Sequence, residues 1–121
     1  MADGADGPVR ATARLVVRGS DRDLPGALGL GCVLLLEGVE RERSLNRAAK
    51  SLGMAYSKAW RLVKEAEAQL GVRLLDRDGA RGSTLTEDGA RVAAAYRTLQ
   101  GEIDELLARR AAELFSRGAS G

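Results

Sequence analysis

Side chains that bind anions are concentrated in the stretch "YSKAWRLVK", residues 56–64. Its cations are Lys58, Arg61 and Lys64, and no acidic residue occurs between Met54 and Lys64. Lysine, arginine and hydroxyl side chains donate hydrogen bonds to phosphates and to base edges in the major groove of DNA. The binding of nucleic acid is therefore the first chemistry that this sequence suggests.

These residues fit one helix with two different faces. At about 100° per residue the apolar positions share a face; they are Ala59, Leu62, Val63, Ala66 and Leu70. Ser57, Arg61 and Lys64 lie on the opposite face, with Lys58 beside it. On this feature alone, a plain solvated helix face is the favoured interpretation.

The composition lacks residue types that most catalytic sites use. The chain has no His and a single cysteine, Cys32, inside the apolar run "CVLLL". Ser/His and Cys/His catalytic pairs, and zinc sites built on these ligands, are therefore excluded. We expect Cys32 to be a buried hydrophobe, and we expect no enzyme activity, no metal and no cofactor.

Length and hydropathy indicate one soluble domain. The 121 residues suffice for a single core. The net charge of +2 does not indicate an anionic partner, so the position of the cations must carry that argument. The longest apolar run, 29–36, is far shorter than the ~20 residues of a membrane span, and the N-terminus has no signal-peptide pattern. We expect a cytoplasmic protein with no membrane partner.

Periodicity and turn formers predict the order strand, three helices, hairpin and long helix. A strand should end near Arg18, and a core helix should run over about residues 30–40. Ser44 and Asn46 are candidate N-caps of a short second helix, which ends before Gly53.

The third helix starts within "MAYSKAW" and runs to Leu70, where Gly71 favours a stop. "VRLLDR", "DGARG" and "STLT" then predict two short strands joined by a tight reversal. Thr86 is expected to cap a last helix that extends to about Ser116.

Two helices separated by a short turn and followed by a β-hairpin are typical of a winged helix-turn-helix. We therefore predict a mainly α fold with a small β-hairpin wing and a long C-terminal dimerisation helix. The predicted divisions are a flexible leader (1–11), a winged helix-turn-helix domain (12–86), the dimerisation helix (87–116) and a tail (117–121).

The segment "SLNRAAKSLGMAYSKAW", residues 44–60, resembles the signature of the DNA-binding domains of molybdate-responsive ModE-like regulators. LysR-type regulators are more distantly similar. "LLDR" and "LTEDG" are similar to the segments that flank this family's wing, and the resemblance covers roughly residues 12–107. It implies a sequence-specific DNA-binding transcription regulator without a cofactor, whose partner is double-stranded DNA.

Three features depart from the family pattern. Ala55 stands where a Ser is common, and because Ala cannot cap, we expect the recognition helix to start later with Ser57 as its cap. The wing loop "RDGARGS" has fewer glycines than usual, which implies a shorter and stiffer loop. These 121 residues hold no counterpart of the family's C-terminal molybdate-binding domains, so we expect no molybdate sensing.

The predicted DNA contacts come from the second and third helices and from the wing. They are Asn46, Lys50, Tyr56, Ser57, Lys58, Arg61, Lys64, Arg77 and Arg81. For the wing arginines, local ion pairs with Asp76 and Asp78 are the alternative. Trp60 is interpreted as a packing residue at the helix junction, and not as a base contact.

The last helix carries an apolar stripe with the spacing of a coiled-coil seam, at Val92, Tyr96, Leu99, Ile103 and Leu106. Val92 and Tyr96 can pack on their own domain, but a body of this size does not cover the stripe from Leu99 onward. We therefore predict a homodimer that binds an inverted-repeat site. The alternative function is a winged-helix module that binds another protein and not DNA.

Overall fold

The computed structural model describes residues 9–77 and 82–116. Within them lie four helices and one two-stranded antiparallel hairpin, so the predicted mainly helical class with a β-hairpin is confirmed. The elements are α1 (Leu30–Glu42), α2 (Leu45–Ser51), α3 (Tyr56–Leu70), β1 (Leu75–Arg77), β2 (Ser83–Leu85) and α4 (Glu87–Phe115). Residues 1–8 of the predicted leader, the tip of the predicted hairpin loop and the predicted tail lie outside the described residues.

The chain divides into two compact units. The first is Leu15–Tyr96, which contains α1 to α3, the hairpin and the beginning of α4. The second combines the part of α4 from Arg97 onward with the residues before Leu15. In this second unit, Gln100 donates a hydrogen bond of 2.8 Å to the carbonyl of Ala13.

The prediction of a strand that ends near Arg18 is wrong. Val17 instead forms one isolated antiparallel bridge with Leu28, and the two residues exchange N–H···O bonds of 2.9 and 2.8 Å. α1 begins two residues after Leu28, which leaves no extended partner along which a ladder could continue. Val16, in the same β-branched run, is 46% exposed.

An aliphatic core surrounds α1. Leu35, Leu36, Val39 and Val33 of this helix are completely buried, and α2, α3 and β2 pack against it. At about 25 cal/mol per Å², burying a Leu or Val side chain contributes roughly 1.5–3 kcal/mol to stability. The core of α1 therefore anchors the elements that carry the predicted DNA contacts.

Capping residues and glycines lie at the helix ends where the sequence predicts them. The Ser44 hydroxyl accepts a backbone N–H from the first turn of α2 at 3.1 Å. Gly53 and Gly71 follow α2 and α3 with φ of +66° and +70°, a region that glycine enters without steric cost. The Thr86 hydroxyl caps α4 by accepting the N–H of Gly89 at 2.8 Å. These caps set the turn between α2 and α3 and the end of the wing.

The thiol of Cys32 is held in an unreactive state. The residue lies in α1 and is 2% exposed. Burial, with a smaller effect from the negative charge of Glu67, raises the pKa of this thiol from 9.0 to about 12. Because the thiolate is the nucleophile, Cys32 is inert at neutral pH and serves as a small core residue.

α4 changes its exposure along its 29 residues. Val92 and Tyr96 are buried, and the Tyr96 hydroxyl donates to the carbonyl of Leu15 at 2.8 Å. Farther along, Leu99 and Leu106 are 45% and 47% exposed. In the part of the chain that the structure describes, neither α4 nor any other helix is long and apolar enough to cross a membrane.

Gly38 permits the close crossing of α1 and α2. A Cβ atom built on Gly38 would lie 2.7 Å from the Cβ of Ala48, which is closer than real Cβ contacts. Gly31 in the same helix has room, because its nearest contact would be 3.5 Å from a side-chain carbon of Leu62.

We predict that Gly38→Ala lowers the free energy of unfolding by about 1–2 kcal/mol, because overpacking outweighs the ~1 kcal/mol that Ala gains in a helix interior. Gly31→Ala is the matched control and should raise it by up to ~1 kcal/mol. Equilibrium urea denaturation measures both. Equal stabilisation by the two substitutions would contradict the close crossing.

Candidate nucleic-acid interface

α3 has the two faces that its sequence predicts. Ala59, Val63 and Ala66 are completely buried against the core, whereas Leu62 and Leu70 are half-buried. The opposite face is exposed and consists of Ser57, Lys58, Arg61 and Lys64. Packing of the apolar face therefore fixes the direction in which the cations project.

α3 begins at Tyr56, and the prediction that it starts later with Ser57 as cap is wrong. Ala55 occupies the N-cap position with φ −64° and ψ 144°, and its carbonyl accepts the N–H of Ala59 at 3.0 Å. The N-cap backbone conformation does not require a polar side chain, so Ala55 adopts it without making a side-chain cap. Ser57 lies in the first turn with its side chain exposed.

Two of the exposed cations have acidic neighbours on the same helix. Arg61 pairs with Glu65 at 3.3 Å, and Lys64 pairs with Glu67 at 3.5 Å. The cationic side chains remain 57% and 66% exposed, and surface pairs of this kind contribute only about 0–1 kcal/mol. A duplex with its dense phosphate charge can displace such partners. Lys58 has no ion pair with any residue in 9–77 or 82–116.

The wing brings Arg77 to the beginning of α3. In β1, the guanidinium of Arg77 donates a hydrogen bond of 3.4 Å to the Tyr56 hydroxyl. The same guanidinium carbon lies 4.9 Å from the centroid of the Trp60 ring, and the Lys64 ammonium lies at the same distance from that ring. The wing and the recognition helix therefore share one cluster of aromatic and cationic groups.

The other wing arginines differ from Arg77. Arg73 pairs with Asp76 at 3.2 Å, so the local ion-pair alternative describes this residue. Arg81 lies outside the described residues. In β2, the N–H of Ser83, the register partner of Arg77, donates to the carbonyl of Arg43 at 3.1 Å and joins β2 to the end of α1.

Glu67 connects α3 to the start of the wing. One carboxylate oxygen pairs with Lys64, and the other accepts the N–H groups of Leu74 and Leu75 at 2.8 and 3.4 Å. The Glu67 side chain is only 13% exposed. The root of the wing is thus held by a hydrogen-bonded carboxylate from the recognition helix.

A polar recess joins α2, α3 and the wing. Its volume is about 500 Å³, and its described lining consists of Ser44, Leu45, Asn46, Tyr56, Arg77, Gly82 and Ser83. No acidic side chain is among these residues. Asn46 and Lys50 are both exposed on α2, but only Asn46 reaches the recess. The arrangement brings hydroxyl, amide and guanidinium groups together in a form suited to a phosphate.

Sequence reasoning missed Gln69, a buried polar residue on α3 that is 6% exposed. Its amide donates to the carbonyls of Leu24, Pro25 and Gly26 at 2.9, 3.1 and 3.0 Å, and its side-chain oxygen accepts the N–H of Gly19 at 2.8 Å. Its position three residues after Ala66, on the buried face, was the available signal. Gln69 fixes the loop before α1 and does not line the candidate interface.

Over residues 9–77 and 82–116, no group of three or more His, Cys, Asp or Glu side chains is arranged to hold a metal ion. The exposed face of α3 is instead a surface of donors. Its chemistry is that of an anion-binding surface.

Comparison with known proteins shows which regulators the domain is similar to. Residues 33–90 match the model of the family described as "Bacterial regulatory helix-turn-helix protein, lysR family". This span is therefore similar in sequence to LysR-type helix-turn-helix domains. The chain is also similar to the molybdenum transport protein ModE of Azotobacter vinelandii, with 37% identity over 103 residues. That match covers 82% of this chain and 38% of the relative, so the chain spans well under half the length of that ModE. The resemblance predicted from residues 44–60 is confirmed.

Similarity to solved structures confirms the winged-helix fold. A crystal structure of the BenM DBD in complex with benA site 1 DNA matches with a TM-score of 0.53 and 24% identity, over 65% of this chain and 91% of that chain. Full-length BenM matches with a TM-score of 0.50 and 27% identity, over 62% of this chain and 24% of that chain.

We predict that Ala55→Ser raises the free energy of unfolding by about 0.5–1 kcal/mol, because the serine hydroxyl can accept an N–H that Ala55 leaves uncapped at the start of α3. Ser57→Ala is the control and should change it by less than ~0.5 kcal/mol, since Ser57 is not the cap. Thermal denaturation followed by circular dichroism measures both. Destabilisation by Ser57→Ala of ~1 kcal/mol would restore Ser57 as the cap.

Proposed function

We propose that this protein is a sequence-specific transcription regulator that inserts the N-terminal half of α3 into the major groove of double-stranded DNA. The observation that carries the proposal is the exposed face of Lys58, Arg61 and Lys64, which lies opposite an apolar face with a completely buried centre. The LysR-type domain and the DNA complexes among the solved neighbours support it over the protein-interaction alternative. Binding, without catalysis or a cofactor, is the whole of the proposed activity.

Base recognition is assigned to the first turns of α3. Lys58 and Arg61 are donors suited to the acceptor edge of guanine, and Tyr56 and Ser57 supply hydroxyls beside them. One good base contact is worth ~1–3 kcal/mol of discrimination against the wrong base. When Arg61 and Lys64 bind DNA, they leave Glu65 and Glu67, at the small cost of two exposed ion pairs.

Phosphate contacts are assigned to the elements around α3. Asn46 and Lys50 present exposed donors from α2, and Arg77 presents its guanidinium from the wing. Arg81, predicted in the wing loop, is proposed for the same role. Each phosphate contact by a cation should steepen the log–log dependence of affinity on salt by ~0.9.

The proposed regulator is a homodimer. Its winged-helix domain covers 12–86 and its dimerisation helix 87–116, where the exposed leucines at 99 and 106 continue an apolar stripe with Ile103 between them. A two-fold axis would place two copies of α3 about 34 Å apart on one face of the duplex. We place this activity in the cytoplasm, where bacterial DNA is.

We predict that a random DNA pool yields a preferred sequence for the purified protein, and that Arg61→Ala weakens its binding by ~1–3 kcal/mol, or about 5- to 150-fold. Arg91→Ala on α4 is the matched control, because Arg91 is also in an exposed ion pair, with Asp88. It should leave affinity within about twofold of wild type. Fluorescence anisotropy with the selected duplex measures both.

Two results would overturn the proposed function. The first is the absence of any bound sequence at low salt. The second is an Arg61→Ala variant that binds the selected duplex no differently from Arg91→Ala.

We predict that Leu99→Glu combined with Leu106→Glu converts a dimer into a monomer, because four buried charges would face one another across a two-fold seam. Ala94→Glu is the control, since Ala94 is exposed on the side of α4 opposite the stripe. Analytical ultracentrifugation gives the masses. A monomeric wild type, or a selected DNA sequence without dyad symmetry, would contradict the dimer.

A further inference from the structure

Trp60 occupies an unusual place between the core and the candidate interface. It is the only tryptophan of the chain and is half-buried, with its ring packed against the core. Two cations nevertheless approach this ring: the Arg77 guanidinium and the Lys64 ammonium, each 4.9 Å from its centroid. A residue that only filled space would not require a cation from each of two different elements.

The contacts of Arg77 show what the ring does. Arg77 is held by the face of Trp60 and by the Tyr56 hydroxyl, and no carboxylate among the described residues pairs with it. Arg73, four residues earlier, is instead paired with Asp76. An aromatic face attracts a guanidinium without neutralising its charge and leaves its N–H donors available at the edge of the plane. Arg77 is therefore both oriented and still able to bind an anion.

We propose that Trp60 is a positioning residue, which fixes Arg77 of the wing and Lys64 of α3 on one side of the recognition helix before DNA arrives. This inference rests on the proposed function and adds to it the mechanism by which wing and helix act together. Without the ring, Arg77 would have to be ordered during binding, and that cost would reduce affinity. Trp60 itself need not touch a base.

Ring-free and ring-containing variants separate positioning from core packing. Trp60→Leu keeps an apolar side chain against the core but removes the π face, whereas Trp60→Phe keeps a face with less area. We expect Trp60→Leu to bind the selected duplex about 3- to 10-fold more weakly. The slope of log affinity against log salt concentration should become shallower by ~0.9 for each cation that no longer reaches a phosphate. Trp60→Phe should retain the wild-type slope.

A double-mutant cycle with Arg77→Ala tests whether Trp60 acts through Arg77. If it does, Trp60→Leu will weaken binding less in the Arg77→Ala background than in the wild type. Full additivity of the two changes would overturn the inference. If Trp60→Leu does not fold, Trp60→Met supplies a second ring-free side chain for the same cycle.

The free protein offers a readout that does not depend on DNA. In wild-type protein, the ring current of Trp60 should displace the NMR resonances of the Arg77 side chain, and Trp60→Leu should return them to ordinary positions. Undisplaced Arg77 resonances in the wild type would overturn the positioning role. A wild type that binds DNA, with Trp60→Leu unchanged in affinity and slope, would overturn this inference alone. Failure of the wild type to bind any DNA would overturn the proposed function as well.

Discussion

Burial of the inner face of α3 against the core is the constraint on which the interface depends. Ala59, Val63 and Ala66 are completely enclosed, and a helix with one enclosed face has a fixed rotation about its axis. Lys58 and Arg61 therefore point outward because their apolar neighbours point inward. The wing is attached to the same helix, so its orientation follows from the same packing. The aliphatic core thus determines which charges the molecule presents.

The positive charge available to DNA is concentrated at the beginning of α3 and is not a property of the whole chain. A net charge of +2 in 121 residues creates little attraction for DNA at a distance, whereas the beginning of α3 carries cations with no acid among its first turns. Farther along, Glu65 and Glu67 hold Arg61 and Lys64 in exposed pairs. Such pairs restrict the side chains in the free protein but are weak enough to be exchanged for phosphates.

Features set by near neighbours in the chain could be predicted, and features set by distant ones could not. Helical periodicity, the stop at Gly71 and the N-cap at Thr86 depend on residues a few positions apart, which explains why the order of helices and hairpin and the exposed face of α3 agree with the sequence. Ala55 shows that an N-cap backbone can form without a capping side chain. The clamp by Gln69 and the contact of Arg77 with Trp60 join residues remote in sequence, and no local pattern encodes them.

Glu67 makes two regions of the molecule interdependent. One oxygen faces Lys64 on the exposed side of α3, and the other holds the backbone of Leu74. If Lys64 contacts DNA as proposed, its replacement to change the bound sequence would also alter the charge balance at the anchor of the hairpin. Diversification of specificity at this position is thus tied to compensating change around Glu67. The first turns of α3, where no such carboxylate intervenes, are freer to vary.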